Sequence, residues 1–325
     1  MTRKTFVEAL RIVVVTTVLL ATAWRGDDAL AQVPTVAIFN LVSHPILDAS
    51  VAGIKAELSA RGYRDGRIRF IEVNANGRIE LLNAYALELL SARPDVIIPI
   101  STPVTQAVVK AANPRQAIVY STVTNPDDVG MANSPPNITG VSDAVNYEAN
   151  LDLIAALYPN ARRIGIIYNA GERNSQFGVD RVREIAPKRN LTLVIATVSN
   201  SGEVADAART LVGRVDVFYV GSDNTVVSAL DALLSVANER RVPVIASDAG
   251  SVEKGALGAV SVDYELVGRE AGRIAAEVLD TKMMPGRIKN VVVQGNALML
   301  NDAAARRIGF QFPIAVRDRA AKVLP

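Results

Sequence analysis

The strongest constraint in this chain is an alternation. Apolar runs bounded by turn residues recur at Val36–Leu41, Val96–Ile100, Ile118–Val123, Ile164–Tyr168, Val215–Val220 and Val242–Ala246. Such runs suit strands buried on both faces, as in parallel sheets. Between them, apolar residues recur at helical spacing. Ile46–Arg61 sets Ile46, Leu47, Val51, Ile54 and Leu58 on one face and stops at Gly62; Ile79–Ala92 does the same with Leu82, Leu89 and Leu90 and stops before Pro94. Further helices are expected at Pro103–Ala112, Tyr147–Leu157, Ser175–Arg189, Val226–Arg240 and Glu265–Leu279. Strand and helix alternating over 325 residues predict an α/β protein with doubly wound parallel sheets, long enough for two domains.

An internal echo suggests how those domains are connected. Asn137-Ile-Thr-Gly-Val-Ser-Asp143 leads into a helix with Ala149, Leu153 and Leu157, and Gly258-Ala-Val-Ser-Val-Asp263 into one with Val267, Ala271 and Leu279. Each is a short strand, an Asp and a helix. The pair reads either as two ordinary strand-to-helix junctions or as equivalent crossovers between two α/β lobes, with a third return expected near Pro285–Lys289. On the second reading lobe I comprises residues 32–143 with 264–288, and lobe II residues 144–263 with 289–325. Ligands in open α/β sheets bind beyond the carboxyl ends of the strands, so two facing lobes would enclose a cleft.

The N-terminus reads as an address. Arg3, Lys4 and Arg11 precede an apolar run from Ile12 to Ala23, followed by Ala29-Leu30-Ala31. Twelve helical residues cover about 18 Å, short of the ~30 Å hydrocarbon core, so a secretory signal peptide over residues 1–31, cut before Gln32, is expected, with export to the periplasm. The remaining 31 basic and 30 acidic residues balance, and no basic stripe offers itself to nucleic acid. There is no Cys, and the single His leaves little scope for histidine catalysis or a multi-His metal site. No cofactor is expected.

Candidate ligand-binding residues follow the predicted strands. Ser101-Thr102-Pro103 puts hydroxyls at a helix start, where free N–H groups and the helix dipole favour a carboxylate. Thr124-Asn125-Pro126-Asp127-Asp128 follows the next strand, with Asp127 and Asp128 read as first-turn acids and Thr124 or Asn125 as a cap. The other lobe offers Glu172, Asn174 and Ser175 after Tyr168, then Ser222-Asp223-Asn224-Thr225, and Ser247-Asp248 with Asp263-Tyr264. An Asp in a dry cleft can hold an ammonium, although each of these residues can equally cap a helix. The nucleophile elbow, the P-loop and the dinucleotide turn are absent, and at 5% aromatic content the chain is short of the platforms that sugar sites use.

From Val36 to Ala320 the chain resembles the tryptophan-binding-protein-like family of ABC transporter substrate-binding proteins, a branch of the type I periplasmic binding protein fold. The resemblance rests on Val42-Ser43-His44 with Leu47-Asp48, on Ser101-Thr102-Pro103 with Gln106, and on Asn137–Asp143. It rests also on Tyr168 with Glu172, Asn174 and Ser175, on Ser222–Thr225, and on Asn301–Pro313 with Ile308-Gly309-Phe310. It implies two lobes joined by three crossovers that close on a small molecule, commonly an aromatic amino acid, and present it to an inner-membrane permease without catalysis. Carried over, it sets Ser43, His44, Ser101 and Thr102 on the first lobe, with the Ser101-Thr102 helix start taking the ligand carboxylate, and Glu172, Asn174, Asp223 and Asn224 on the second, with Asp223 for the ammonium. Where relatives often show Ser or Thr followed by Asp and Pro, this chain has Thr124-Asn125-Pro126. Loss of that acid leaves open a ligand without an amine, such as an aromatic carboxylate. A periplasmic sensor and a cleft enzyme are the other classes the fold would serve, and a monomer is expected.

Overall fold

The computed structural model describes residues 33–325; the expected signal peptide lies outside them. The first sheet is built from β1 (Thr35–Asn40), α1 (Pro45–Ala60), β2 (Arg69–Asn74), α2 (Leu82–Ser91), β3 (Val96–Pro99), α3 (Thr102–Ala111), β4 (Ile118–Val123) and β5 (Ile138–Ala144). The chain then enters a second sheet through α4 (Tyr147–Leu157), β6 (Arg163–Asn169), α5 (Arg173–Ile185), β7 (Thr192–Val198), α6 (Val204–Leu211) and β8 (Val217–Val220). It continues through α7 (Asn224–Ser228), α8 (Leu230–Glu239), β9 (Val244–Asp248), α9 (Ala249–Lys254) and β10 (Gly258–Val262). Helix α10 (Tyr264–Thr281) and β11 (Val291–Gln294) return to the first sheet. Strand β12 (Ala297–Asn301), α11 (Asp302–Ile308), α12 (Ile314–Arg317) and β13 (Lys322–Leu324) finish in the second.

The doubly wound expectation is met, and each sheet has the same internal order. The first runs β2-β1-β3-β4-β5-β11 and the second β7-β6-β8-β9-β10-β12-β13. All the pairings are parallel except β10 with β12, which is antiparallel. In both sheets the order reverses beside the first strand of the lobe, between β1 and β3 and between β6 and β8. Such switch points splay the loops at the carboxyl ends and open a crevice there. The central strands are apolar throughout because both faces are covered: Val36–Phe39, Val96–Ile98 and Val217–Val220 are buried. Each fully buried Val, Ile or Phe side chain contributes about 1.5–3 kcal/mol.

Two edge strands, Arg69–Asn74 and Thr192–Val198, had no counterpart among the expected runs. One face of each meets solvent, which dilutes the apolar pattern. The helix expected over Val226–Arg240 is divided at Ala229 into α7 and α8. The third return lies later than Pro285–Lys289, because Val291–Gln294 pairs in parallel with Val141–Ala144 of the first sheet. The crossing falls at Gly295-Asn296, between β11 and β12.

Helices α1 and α10 cross on the first sheet at glycines. A methyl at Gly268 would stand 2.0 Å from the Ser50 carbonyl oxygen, and one at Gly53 2.2 Å from that of Glu265. Only hydrogen at these positions lets the backbones approach so closely. This crossing fixes α10, and with it the position of Tyr264 at its first turn.

Candidate functional site

At the first lobe's switch point, the backbone leaves β3 through Ser101 at φ +83° and passes through Thr122 near the end of β4 at φ +57°. Left-handed backbone at a non-glycine costs on the order of 1–3 kcal/mol and persists where the surroundings impose it. The Ser101 N–H donates to the Ser121 carbonyl at 3.1 Å, and the Ser101 carbonyl accepts from Thr105 N–H at 3.1 Å and Oγ1 at 2.8 Å. At Thr122 the β4–β5 register slips. The backbone is thus held on both sides while the hydroxyls of Ser101, Thr102 and Thr122 find no partner within the protein.

The second lobe's switch point is built on two buried carboxylates. Glu172 accepts from Asn224 N–H at 3.1 Å, Thr225 N–H at 3.0 Å, Thr225 Oγ1 at 2.7 Å and Asn174 Nδ2 at 3.1 Å. It pins the start of α7 from within the lobe. Asp223 caps the same helix, accepting Val226 N–H at 2.8 Å on Oδ1 and Asn169 N–H at 2.6 Å on Oδ2. Burial pushes the Asp223 carboxyl up, and the charge of Glu172 adds to the effect. The Asn174 amide donates to the Ser222 carbonyl at 2.7 Å, which leaves its Oδ1 without a partner.

The lobes meet over these loops. His44 Nε2 lies 3.4 Å from Asn224 Oδ1. The Asn224 Nδ2 donates to Glu172, so its oxygen is the atom presented to His44. Burial lowers the His44 pKa to about 4, giving a neutral ring whose Nε2–H donates to Asn224 and whose Nδ1 keeps a free lone pair. At the rim Arg173 Nη2 pairs with Asp128 Oδ1 at 3.3 Å. Behind them, at the crossovers, Tyr264 Oη donates to Asp143 Oδ2 at 3.0 Å. Asp143 Oδ1 has no partner, and burial pushes this carboxyl up to about 7.

Between the two switch points lies one inter-lobe cavity with about 300 Å³ of space among its atoms. Of the residues singled out in the sequence, His44, Ser101, Thr102, Thr124, Asn174, Asp223 and Asn224 line it. Ser175 lines an adjoining cavity. Glu172 sits behind the wall, and Asp248 caps α9, accepting Ser251 N–H at 2.7 Å and Oγ at 2.6 Å. Ser43 faces solvent and donates to Asp48 at 2.8 Å. Asn125, the departure at the cleft rim, caps a short turn by accepting Asp127 N–H at 3.3 Å and does not reach the cavity. Ser222 and Tyr264, which the strand-end motifs also offered, line it too, as do Thr122 and Asp143, which those motifs did not include. The echo did mark Asp143, but its two acids do different work: Asp263 is an exposed cap accepting Leu266 N–H at 2.9 Å, whereas Asp143 is a buried strand residue. Of the aromatic side chains, Phe39 is spent in the core edge-on to Tyr85, and Tyr264 reaches the cavity.

The family model for ABC transporter substrate binding proteins matches residues 35–324. The chain belongs to that family. It is 36% identical over 281 residues to a protein from Clostridioides difficile named tyrosine-binding protein, covering 85% of this chain and 81% of the relative. Among solved structures it matches a conserved domain protein from Vibrio cholerae with TM-score 0.87 and 32% identity, covering 90% of this chain and 100% of that one. An ABC domain from Streptococcus pneumoniae in complex with L-Trp matches with TM-score 0.84 at 27% identity, covering 90% and 99%. A ligand-free, open substrate-binding protein with adhesive properties from Clostridium difficile matches with TM-score 0.65 at 31% identity, again covering 90% and 99%. The fold is that of type I periplasmic binding proteins. Membership makes this chain a substrate-binding protein of the ABC type.

Proposed function

We propose that the protein is the periplasmic capture component of an ABC importer, closing its two lobes on an aromatic amino acid and presenting it to an inner-membrane permease, with no chemistry of its own. The observation that carries this reading is the set of polar atoms around the inter-lobe cavity. His44 Nδ1, Ser101 Oγ, Thr102 Oγ1, Thr122 Oγ1, Asp143 Oδ1, Asn174 Oδ1 and Ser222 Oγ are all buried without a protein partner. A buried polar group left unsatisfied costs about 1–3 kcal/mol, so seven around one cavity suit a ligand that bonds to them.

The chemistry divides between hydroxyl donors and a set of acceptors. Hydroxyls of Ser101 and Thr102 at the start of α3, with the helix dipole, suit a carboxylate. Asp143 Oδ1, Asn174 Oδ1 and His44 Nδ1 are acceptors, and an ammonium presents three donors. Asp223, the first choice for that role, already accepts a backbone N–H on each oxygen, so the assignment moves to Asp143. The negative charge missing at Asn125 is then supplied from the crossover, which favours a ligand with an amine over a bare carboxylate. Better agreement with the L-Trp complex than with the open relative, despite lower identity, supports a closed setting of the lobes here. Ligand would stabilise that setting by bridging both lobes.

Calorimetric titration of residues 32–325 with aromatic amino acids and with their deaminated analogues tests this reading. Binding of the amino acids, weakened at least tenfold by removing the amine, is expected. Equal affinity for the deaminated analogues would remove the amine from the proposal, and turnover of the ligand would overturn the binding role.

A further inference from the structure

A second cavity lies inside the second lobe, between β6, β8 and α5, with about 290 Å³ among its atoms. It adjoins the inter-lobe cavity through Ser222 and Asp223, which line both. Much of its wall is aliphatic, from Ile166, Ile167, Val179 and Val182, with Ser175 and Asp223 toward the inter-lobe cavity, and two tyrosines line it, Tyr147 from the first turn of α4 and Tyr219 from β8. Both are buried, at 4% and 2% exposure, and neither hydroxyl has a partner in the protein. The tip of Tyr147 rests on Gly178 of α5, where a methyl would stand 3.0 Å from its oxygen. Burial pushes both tyrosine hydroxyls up, so each stays protonated and able to donate, and both side chains line the same cavity.

A largely apolar cavity with two unmatched tyrosine hydroxyls in its wall suits a ligand group that is flat and greasy along its length and polar at its tip. The geometry points to this cavity as the side-chain subsite of the ligand, with Tyr147 and Tyr219 reading a phenol hydroxyl at the far end of the ring. A phenol O–H can accept from one tyrosine and donate to the other, whereas a phenylalanine ring would leave both hydroxyls buried and unsatisfied. A site built to bond a hydroxyl rejects the analogue that lacks it far more strongly than a greasy pocket rejects an extra methylene. This inference rests on the capture of an aromatic amino acid proposed above.

The test compares L-tyrosine and L-phenylalanine by calorimetry on residues 32–325, for the unaltered chain, Tyr147→Phe, Tyr219→Phe and the double variant. The unaltered chain should prefer tyrosine at least tenfold, and the double variant should bring the two affinities within about threefold, mainly by weakening tyrosine. Because each change removes an unsatisfied buried hydroxyl and keeps the ring, ligand-free melting temperatures should stay level or rise, which a purely structural role for these hydroxyls would not allow. Gly178→Ala should weaken tyrosine by intruding on Tyr147. Equal affinity for both amino acids in the unaltered chain, or a preference that survives in the double variant, overturns the subsite while leaving amino-acid capture intact. Binding of neither amino acid overturns both readings.

Discussion

His44 and Asn224 stand on opposite lobes, and their 3.4 Å contact joins the two switch points directly. Each is oriented from its own side: His44 precedes Pro45 at the start of α1, and Asn224 is held by the Glu172 carboxylate. The contact therefore exists only when the lobes are together. It couples both residues to closure, while Asn224 also braces the second lobe through Glu172.

Replacing His44 with alanine should leave each lobe folded and weaken ligand binding about five- to thirtyfold, the equivalent of about 1–2 kcal/mol for one hydrogen bond and its packing. Small-angle scattering without ligand should show a more open average shape. An unchanged dissociation constant would mean that closure does not depend on this contact.

The assignment of the ammonium to Asp143 predicts a pH dependence of binding. Its carboxyl, raised from 3.8 to about 7, keeps its proton in the folded chain where the unfolded chain has lost it. The folded state therefore binds more protons between those values, and this contribution to stability declines as pH rises through that window. His44, lowered from 6.5 to about 4, has the opposite sign, and its contribution is lost as pH falls from 6.5 towards 4. An ammonium requires the ionised Asp143, so affinity for an amino acid should fall as pH drops below 7, approaching tenfold per unit. Titrations at several pH values should show this slope, and Asp143→Asn should flatten it and weaken binding at pH 7.5. If the variant keeps the slope, another group is titrating.

Asp223→Ala is expected to act on the fold of the second lobe. It removes the cap of α7 and leaves the Asn169 N–H unmatched, a combined loss of about 2 kcal/mol or more. Relief of the repulsion with Glu172 offsets part of this loss. Thermal or denaturant unfolding without ligand would reveal it, and a melting curve identical to that of the unaltered chain would return Asp223 to the ligand.

Gly250 of α9 and Pro45 of α1 come from different lobes, and a methyl at Gly250 would stand 2.4 Å from Pro45 Cβ. Gly250→Val should wedge the cleft open, with affinity reduced at least tenfold and the unliganded melting temperature nearly unchanged. Chemical-shift or scattering data that still report a ligand-closed form would show that the lobes accommodate the wedge.

Much of this was legible in the chain itself. The central strands are buried on both faces, so Val36–Leu41 and Ile118–Val123 are apolar runs that announce a parallel sheet before any contact is known. Polar residues that follow the strands, at Ser101, Asn174 and Asp223, mark the carboxyl edge where a cleft would form. The edge strands Arg69–Asn74 and Thr192–Val198 were not legible, because a half-exposed strand carries mixed residues that no period distinguishes from a loop. Nor was the crossing at Gly295-Asn296, since Val291–Gln294 pairs on only one side and could have joined either sheet.

The sequence by itself determined the architecture and the positions along the chain where a ligand could be met, because burial and helical spacing are local patterns that repeat every few residues. Which acid faces the cleft was decided only in three dimensions. Asp143, Asp223, Asp248 and Asp263 all follow or end strands, yet three of them each cap a helix through a backbone N–H, and Asp143 alone of the four keeps a buried oxygen without a partner. That difference depends on Tyr264, 121 residues away, and on the glycine crossing that positions it, and no local pattern records a contact made across that distance.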